Sequence, residues 1–422
     1  MTEISQLENT IMNMAADARK AATSLISLSS AKKNIVLERV ASLLDSQRTI
    51  IQSENEKDLK AGKEKGLSAA MLDRLELSDA VIDSMISGLK EVCALPDPVG
   101  SVDNLTIRPN GIQVGRMRIP LGVIAMIYES RPNVTIDAAA LCLKTGNAVL
   151  LRGGSEAIHS NLVLAKVLQQ ALEEEGLARE SVQVIPVTDR SAVQFLLQQE
   201  ETIDLVIPRG GEGLIRYVSE NSRIPVLKHY KGVCHIYVDK DADLEKSTPV
   251  ILNAKTHRPG VCNALEGVLV HQTLAADYIP VIVKELTDAG VEVRGCAKTV
   301  NLSPLAVPAQ ESDWGTEFLD LKIVMKVVSD VEAAKEYIFE HGSKHTEVIL
   351  TENYTTAQQF VAQVDASAVM VNASTRFNDG GQLGLGTEIG ISTTKLHAYG
   401  PMGLEELTTR KFVVYGQGQI RN

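Results

Sequence analysis

The segment "HRPGVCNALE" places Cys262 directly after a Pro-Gly pair. That pair interrupts the helical pattern before it, so we expect Cys262 to lie on a turn. His257 and Arg258 put positive charge nearby, which favours the thiolate form of a cysteine. A structural cysteine is usually buried among apolar side chains instead. The segment therefore predicts a nucleophilic cysteine.

The other four cysteines lie in different surroundings. Cys93 and Cys142 fall in apolar helical runs, Cys234 at or beside a strand, and Cys296 after a glycine at a strand end. No CxxC pair and no zinc-ligand spacing is present, so we expect no metal site and no disulfide framework. Free thiols in this number indicate a reducing compartment, and we expect a cytoplasmic protein.

Strands and helices alternate between residues 120 and 245, which predicts a doubly wound, largely parallel sheet. Two strands end in "RGG", at Arg152–Gly154 and Arg209–Gly211, and each of these turns opens a helix. Such a turn offers backbone N–H groups and a helix dipole to a phosphate. Because the G-x-G-x-x-G fingerprint is absent, two ordinary tight turns remain the alternative.

A thiolate beside a nucleotide-binding sheet suggests a specific chemistry. The cysteine attacks an activated acyl carbon to form a thioester, which accepts a hydride from a nicotinamide, or the reverse sequence oxidises an aldehyde. The tetrahedral intermediates need an oxyanion hole. Its donors would be the backbone N–H of Cys262 and a nearby side-chain amide or guanidinium.

The remaining sequence must position these residues. The first hundred residues show helical periodicity, and residues 103–120 read as a hairpin around "RPNG". This hairpin either stays on its own domain or covers an edge of a partner subunit. A second α/β unit follows residue 245 and surrounds the cysteine turn, and the chain ends in a Gly-rich tail with the β-like "RKFVVYG".

Composition excludes several classes of function. The formal net charge is −11 at pH 7, which argues against non-specific nucleic-acid binding. The N-terminal segment lacks the basic and apolar regions of a signal peptide. No apolar run approaches the ~20 residues that a membrane helix needs.

Several motifs together carry a resemblance to a known family; in chain order they are "PLGVIAMIYESRPNVTIDAAALCLKTGNAVLLRGGSEA", "VIPRGGEGLI", "THRPGVCNALE", "VNASTRFNDGGQLGLGTEIGIST" and "LHAYGPMGLEELTT". With these motifs the chain resembles the aldehyde dehydrogenase superfamily over most of its length. The resemblance implies an α/β fold with two doubly wound domains and a small β oligomerisation element. The implied domains are an NADP(H)-binding domain (1–102 and 121–245), a catalytic domain (246–385) and an oligomerisation arm and tail (103–120 and 386–422).

The resemblance also implies roles for single residues. Cys262 falls on the family's nucleophile, and Glu317 falls on the glutamate that holds the nicotinamide ribose. The implied cofactor, NADPH or NADP, would be bound by Arg152, Gly153, Gly154, Ser155, Arg209, Gly210 and Gly211. Ser155 is small and neutral, and Arg152 beside it could admit a 2′-phosphate.

Two departures from the family pattern are informative. Members that hydrolyse their thioester carry a Glu-Leu-Gly-Gly segment whose glutamate activates water, and here His229 takes the place of that glutamate. The family's Pro-Trp-Asn-Phe-Pro segment is replaced by "YESRPN". Its oxyanion asparagine therefore has two candidate equivalents, Arg131 by position and Asn133 by chemistry.

Within the superfamily, the motifs resemble the branch that reduces an acyl phosphate. This resemblance implies NADPH-dependent reduction of L-glutamate 5-phosphate to L-glutamate 5-semialdehyde and phosphate, the second step of proline biosynthesis from glutamate. The candidate cations for this anionic substrate are Arg131, His257, Arg258, Arg376 and Lys395. Arg131 and Arg376 are favoured because both lie in Gly/Asn-rich loops within the matching motifs.

Two rival functions remain open: an aldehyde dehydrogenase that releases the free acid, and a non-catalytic scaffold with the same fold. We expect a homo-oligomer. A glutamate 5-kinase is a candidate partner, because an acyl phosphate is labile and direct transfer would protect it.

Overall fold

The computed structural model describes residues 3–129 and 131–421. Helices are numbered in chain order. They are α1 (Glu3–Leu25), α2 (Ser30–Ser46), α3 (Arg48–Glu64), α4 (Ala69–Leu75), α5 (Asp79–Ala94), α6 (Val134–Lys144), α7 (Ile158–Glu174), α8 (Ser191–Leu196), α9 (Glu212–Asn221), α10 (Leu244–Thr256), α11 (Ala275–Asp288), α12 (Ala297–Leu302), α13 (Val331–His341) and α14 (Tyr354–Gln363).

Strands are numbered in the same way. They are β1 (Val102–Ile107), β2 (Gln113–Pro120), β3 (Val123–Tyr128), β4 (Ala148–Arg152), β5 (Val182–Val184), β6 (Leu205–Arg209), β7 (Cys234–Val238), β8 (Leu265–His271), β9 (Glu292–Gly295), β10 (Val307–Pro308), β11 (Lys322–Val328), β12 (Thr346–Leu350), β13 (Ala368–Val371), β14 (Ile391–Ser392), β15 (Gly400–Pro401) and β16 (Thr408–Tyr415). The chain folds as two compact units, and the second holds His229–Gly384 and Ile391–Pro401.

The first unit is built on a parallel sheet with strand order β5-β4-β3-β6. Strand β3 is buried along its whole length, as its unbroken apolar sequence predicts for a parallel strand covered on both faces. Helix α6 ends at Lys144, and Gly146, with a φ of +73°, supplies the left-handed residue that commonly follows a helix end. The arrangement brings the carboxyl ends of β4 and β6 to the same edge, on either side of β3.

A separate antiparallel sheet in this unit has the order β1-β2-β16. Strands β1 and β2 form the hairpin that the sequence predicts, and β16 is the β-like C-terminal run. The hairpin and the tail thus combine into one element, although they are far apart in sequence. Strand β16 lies at the edge of this sheet, because it pairs only with β2 among the described strands.

The second unit contains a parallel sheet with the order β10-β9-β11-β8-β7-β12-β13. Its largest apolar core lies between strands β7, β8 and β11 and helices α10 and α11. The cysteine turn connects α10 to β8 and therefore lies at the amino end of a central strand. This sheet and its helices confirm the second α/β unit.

Two details of the sequence prediction are wrong. The run "IPVLKHY" has the apolar pattern of a strand, but it contributes only an isolated bridge between Val226 and Val206. Pro225 has no N–H to donate to a strand ladder, which limits pairing at this position. The expected boundary at 245 assigned β7 to the first domain. Strand β7 instead pairs with β8 and β12, so the second unit begins at His229.

Candidate active site

Cys262 lies on the turn between α10 and β8, and its side chain is half-buried. The backbone of Gly232 packs directly against it: a Cβ placed at position 232 would lie 2.0 Å from the carbonyl oxygen of Cys262. Such a contact cannot be accommodated, so the chain needs glycine at this position. The prediction that Cys262 is presented on a turn is confirmed.

Glu317 meets the same glycine. The backbone N–H of Gly232 donates a hydrogen bond of 2.9 Å to Oε1 of Glu317. Gly232 therefore contacts both Cys262 and Glu317, which are far apart in sequence. The structure brings these two predicted site residues together around one backbone position.

Arg376 provides positive charge on this unit. Its Nε–H donates a hydrogen bond to Nδ1 of His257 at 3.3 Å. Burial lowers the pKa of Arg376 from its ordinary value; Asp379 opposes the shift, Arg258 adds to it by repulsion, and Cys262 opposes it. An arginine remains charged under these conditions. Arg376 thus carries a positive charge that interacts with Cys262.

The other predicted cation of this unit has a different environment. Nζ of Lys395 lies 2.7 Å from a carboxylate oxygen of Asp365 and 5.9 Å from the ring centre of Tyr399. Asp365 also pairs with Lys344. The charge of Lys395 is therefore matched locally, which makes it a weaker candidate for binding an anion.

A buried group of residues lies behind the cysteine turn. The thiol of Cys234 donates to the carbonyl oxygen of Cys262 at 3.2 Å, and its sulfur lies 3.7 Å from Nδ1 of His345. Burial lowers the pKa of His345 to about 3, so this imidazole is neutral. The ring of His229 contacts that of His345 edge-on, with 5.9 Å between the ring centres.

A buried ion pair fixes the two ends of the turn. Nζ of Lys255, near the end of α10, lies 2.9 Å from Oε2 of Glu266 on β8, and both side chains are almost fully buried. The other oxygen of Glu266 accepts the backbone N–H of Leu319 at 3.3 Å, next to the Glu317 loop. Burial raises the pKa of Glu266 to about 7, against the attraction of Lys255. This pair joins the segments before and after Cys262 to the loop of Glu317.

In the first unit, the Arg152 turn carries unsatisfied donors. Nη1 of Arg152 donates to the carbonyl of Gly153 and Nη2 to that of Thr188, but its buried Nε has no hydrogen-bond partner. Nδ2 of the fully buried Asn161 is also without a partner. A Cβ at position 153 would lie 2.0 Å from this amide nitrogen, so glycine leaves the donor uncovered at the turn. Ser155 beside it is exposed.

The second Gly turn is arranged differently. Arg209 ends β6, and Gly211 is the N-cap of α9. The backbone N–H of Gly211 donates to Oε2 of Glu129 at 3.1 Å, and this carboxylate also lies against Gly210. An internal carboxylate thus occupies the helix N-terminus that the sequence assigned to a phosphate.

Asn133 and Arg131 lie at the start of α6, in the first unit. Nδ2 of Asn133 donates to Asp137 at 3.0 Å, and the carbonyl of Arg131 accepts the N–H of Val134. Burial raises the pKa of Asp137 to about 6. The assignment of an oxyanion donor to Arg131 or Asn133 stays a prediction.

Comparison with known proteins identifies the family. The family model "Aldehyde dehydrogenase family" matches residues 3–316. A gamma-glutamyl phosphate reductase from Desulfotalea psychrophila is 66% identical over 416 residues, covering 99% of this chain and all of that protein. The crystal structure of a gamma-glutamyl phosphate reductase from Thermotoga maritima is 49% identical, covers 98% of this chain and 100% of its own, and superposes with a TM-score of 0.96.

The chain belongs to the aldehyde dehydrogenase family. It is an oxidoreductase, and the expected aldehyde dehydrogenase-like α/β fold is confirmed. A more distant structure, a glyceraldehyde-3-phosphate dehydrogenase from Methanocaldococcus jannaschii in complex with NADP, shares the fold at 14% identity with a TM-score of 0.66, over 97% of this chain and 95% of its own.

An aldehyde dehydrogenase uses a nicotinamide cofactor, and the residues of the first unit fit one. The unpartnered donors Arg152 Nε and Asn161 Nδ2 are both buried at this turn, and Gly153 leaves the space beside the Asn161 amide free of a side chain. Buried donors without partners are rare in folded proteins, and an anionic group would satisfy both. Among the described residues, no cluster of metal-ligating side chains is present, and no helix is long and apolar enough to span a membrane.

Sequence reasoning missed several residues that contact the predicted site positions. Asn161 lies within a helix and Glu129 at the end of a strand, and neither position carries a local signal of its contact with a distant glycine turn. Cys234 was assigned correctly to a strand, but its contact with Cys262 depends on strand pairing. Glu266 belongs to the quoted cysteine motif and lies near the start of a largely apolar strand. A charged residue in such a strand is usually paired when buried, so the sequence did carry a signal for its ion pair with Lys255.

Proposed function

We propose that this protein reduces L-glutamate 5-phosphate to L-glutamate 5-semialdehyde and phosphate with NADPH, the second step of proline biosynthesis from glutamate. The observation that carries this proposal is the meeting of Cys262 and Glu317 at Gly232, with a histidine in place of the water-activating glutamate. The full-length similarity to gamma-glutamyl phosphate reductases supports the choice of substrate.

The first half of the reaction forms an acyl-enzyme. The thiolate of Cys262 attacks the γ-carbonyl carbon, the carbon–oxygen bond to phosphate breaks, and phosphate departs with the electron pair. Phosphate is a good leaving group, so the chain needs little acid catalysis here. Its harder task is to hold a multiply charged anion near a thiolate. Arg376 and Arg131 are the cations we assign to this task, with Arg258 and His257 at the entrance of the cysteine turn.

Oxyanion stabilisation is assigned to the backbone N–H of Cys262 and to Asn133 or Arg131. The fixed turn supports this assignment, since preorganised donors stabilise charge without having to move. Gly232 and the Lys255–Glu266 pair hold the Cys262 backbone in place. The catalytic role of Asn133 further requires that its contact with Asp137 leaves one N–H of the amide for the substrate.

NADPH, when bound, supplies the hydride that reduces the thioester. The chain's own residues bind and orient this cofactor: Arg152, Asn161 and the Gly153–Ser155 turn on one side, Arg209–Gly211 on another, and Glu317 at the nicotinamide ribose. Cys262 then leaves the reduced carbon as a thiolate, and the semialdehyde is released. Arg152 and Arg209, together with the small Ser155, support a preference for the 2′-phosphate of NADPH.

The thioester must be protected from water. A carboxylate at position 229 would activate water as a general base, whereas His229 packs against the buried, neutral His345. This argues against the rival function, an aldehyde dehydrogenase that releases the free acid. In the reverse direction, the acyl group of Cys262 would pass to phosphate.

We also propose a homo-oligomer built through the β1-β2-β16 sheet. Apolar side chains are exposed on it: Ile107 is 74% and Phe412 68% exposed, and Val414 and Tyr415 are more than half exposed. An unpaired edge strand with exposed apolar residues favours association with a second copy. The five free cysteines support a cytoplasmic location. A glutamate 5-kinase remains a proposed partner on chemical grounds alone.

The test of catalysis is removal of the nucleophile. We expect Cys262→Ala to lower kcat for L-glutamate 5-phosphate reduction by about 10⁴-fold or more, with NADPH binding retained. Cys296→Ala is the matched control, since Cys296 is a half-buried thiol of the same unit that the mechanism does not use. Full activity of Cys262→Ala would contradict the role of Cys262 as the nucleophile, and no activity of the wild type would favour the rival non-catalytic scaffold.

A further inference from the structure

Cys234 is a second thiol at the nucleophile that the proposed mechanism does not use. It is the first residue of β7, and its Cα is paired in register with that of Leu265, the first residue of β8. Cys262 lies three residues before Leu265. Because β7 and β8 are parallel neighbours, their amino ends bring the two cysteines to the same edge of the sheet.

The contacts between these two segments are close. The Cys234 sulfur lies 3.2 Å from the carbonyl oxygen of Cys262, and a Cβ on Gly232 would lie 2.6 Å from the Cα of Cys262. The Cys234 sulfur therefore contacts the backbone of the residue that carries the nucleophilic sulfur. Rotation of the Cys262 side chain towards Cys234 is the movement that a bond between the two sulfurs requires.

We propose that Cys234 is the resolving cysteine of a reversible oxidation site, in which a peroxide-oxidised Cys262 closes a disulfide with Cys234. This inference rests on the proposed role of Cys262 as a reactive thiolate. A serine at position 234 could donate the same hydrogen bond to the Cys262 carbonyl, so that bond alone does not require a thiol. The proposed disulfide does require one.

The chemistry balances with a hydroperoxide as the oxidant. The Cys262 thiolate attacks one peroxide oxygen, the O–O bond breaks, and hydroxide leaves, giving the sulfenic acid. The Cys234 sulfur then attacks the Cys262 sulfur, the S–O bond breaks, and the Cys234 proton leaves with the hydroxyl as water. The two thiols have lost two electrons in total and the peroxide has gained them. A dithiol reductant reverses the bond.

The environments of the two cysteines fit this division of labour. Cys262 is half-buried on a turn, so an oxidant in solvent reaches it first, whereas Cys234 is fully buried. Burial raises the pKa of Cys234 well above its ordinary value and keeps it a thiol that is not itself oxidised first. Disulfide formation before a second oxidation would spare Cys262 from the irreversible sulfinic acid.

The experiment treats the purified full chain with a slight excess of hydrogen peroxide. Half of each sample is digested without reduction for peptide mass spectrometry, and half is treated with dithiothreitol before the reductase assay. Wild type, Cys234→Ala, Cys234→Ser and the control Cys296→Ala are compared, each against its own untreated activity. The serine variant keeps the hydrogen bond to Cys262 and guards against a folding defect of the alanine variant.

We expect the wild type and Cys296→Ala to yield a Cys234–Cys262 cross-linked peptide and to recover most of their activity. Both Cys234 variants should form sulfinic acid at Cys262, and the fraction of reductase activity that they recover should be at least about fivefold lower. Sulfinic acid at Cys262 in the wild type without the cross-link, or equal recovery by the Cys234 variants, would overturn the proposal. The peptide map needs no catalysis, so failure of the proposed reaction would be seen separately, in the untreated assay.

Discussion

The cysteine turn of the second unit and the Arg152 turn of the first unit differ in how the chain supports them. Around Cys262, a glycine contact, a buried ion pair and a thiol–carbonyl hydrogen bond hold the backbone without any ligand. At the Arg152 turn, two buried nitrogens have no partner. A covalent catalyst has to be fixed before its substrate arrives, whereas a cofactor site can leave donors to be satisfied on binding.

The unpaired atoms also differ in kind. Near Cys262 they include two side-chain acceptors, Oδ1 of Asn263 and Oδ1 of Asn378, and the two residues are joined by a hydrogen bond from Asn263 to the Asn378 carbonyl. At the Arg152 turn they are donors, Arg152 Nε and Asn161 Nδ2. Donors suit a phosphate and acceptors repel one. These two amide oxygens therefore cannot bind an anion on the second unit, and we assign that task to Arg376.

The sharpest test of the comparison changes Gly232 at the cysteine turn and uses Gly211 of the first unit as the control position. In Gly232→Ala the new methyl group would collide with the Cys262 carbonyl, and we expect kcat to fall by about 10²-fold or more because the nucleophile is displaced. In Gly211→Ala the methyl group meets no atom within 4 Å, and the backbone φ of −65° suits alanine. We expect that variant to keep kcat within about threefold.

Steady-state kinetics of the two variants decide this point, with thermal unfolding as the check on folding. An active Gly232→Ala enzyme would show that the cysteine turn is adjustable and would remove the contrast between the units.

The elements and the turn that carries Cys262 could be predicted from the sequence because their signals are local. Cys262 follows a Pro-Gly pair, and the parallel strands are continuous apolar runs. The domain boundary failed because β7 has the same pattern as the strands of the first sheet, and only its pairing with β8 and β12 assigns it. The contacts of Glu129 and Cys234 depend on which strands become neighbours, which a single sequence pattern does not encode.

A second test concerns the open donors of the first unit. We expect Arg152→Gln to raise KM for NADPH by about 10- to 100-fold, because the variant loses a charge-assisted hydrogen bond to the cofactor. The change in kcat should be small. The effect on NADH should be smaller, since NADH lacks the 2′-phosphate. Arg179→Gln is the control, because Arg179 is an exposed residue paired with Glu173 on the same unit. Equal losses for both cofactors would place the role of Arg152 elsewhere on the nucleotide.

The smallest expected effect has the opposite sign. Glu129 accepts the Gly211 N–H at the start of α9, where we expect a cofactor phosphate to compete for the same group. Glu129→Gln removes this negative charge and should lower Kd for NADPH about two- to fivefold, as measured by fluorescence titration. Glu212→Gln is the control, because Glu212 lies in the first turn of α9 and pairs with Arg216. Weaker NADPH binding by Glu129→Gln would mean that Glu129 helps to form the site.

The central claim is that an acyl group on Cys262 passes to phosphate and not to water. The direct measurement follows NADP⁺ reduction by L-glutamate 5-semialdehyde in phosphate-free buffer and then with added inorganic phosphate. We predict NADPH formation that depends on phosphate, saturates with it and disappears in Cys262→Ala. Sustained turnover of the wild type without phosphate would contradict the account and make the protein a hydrolytic aldehyde dehydrogenase.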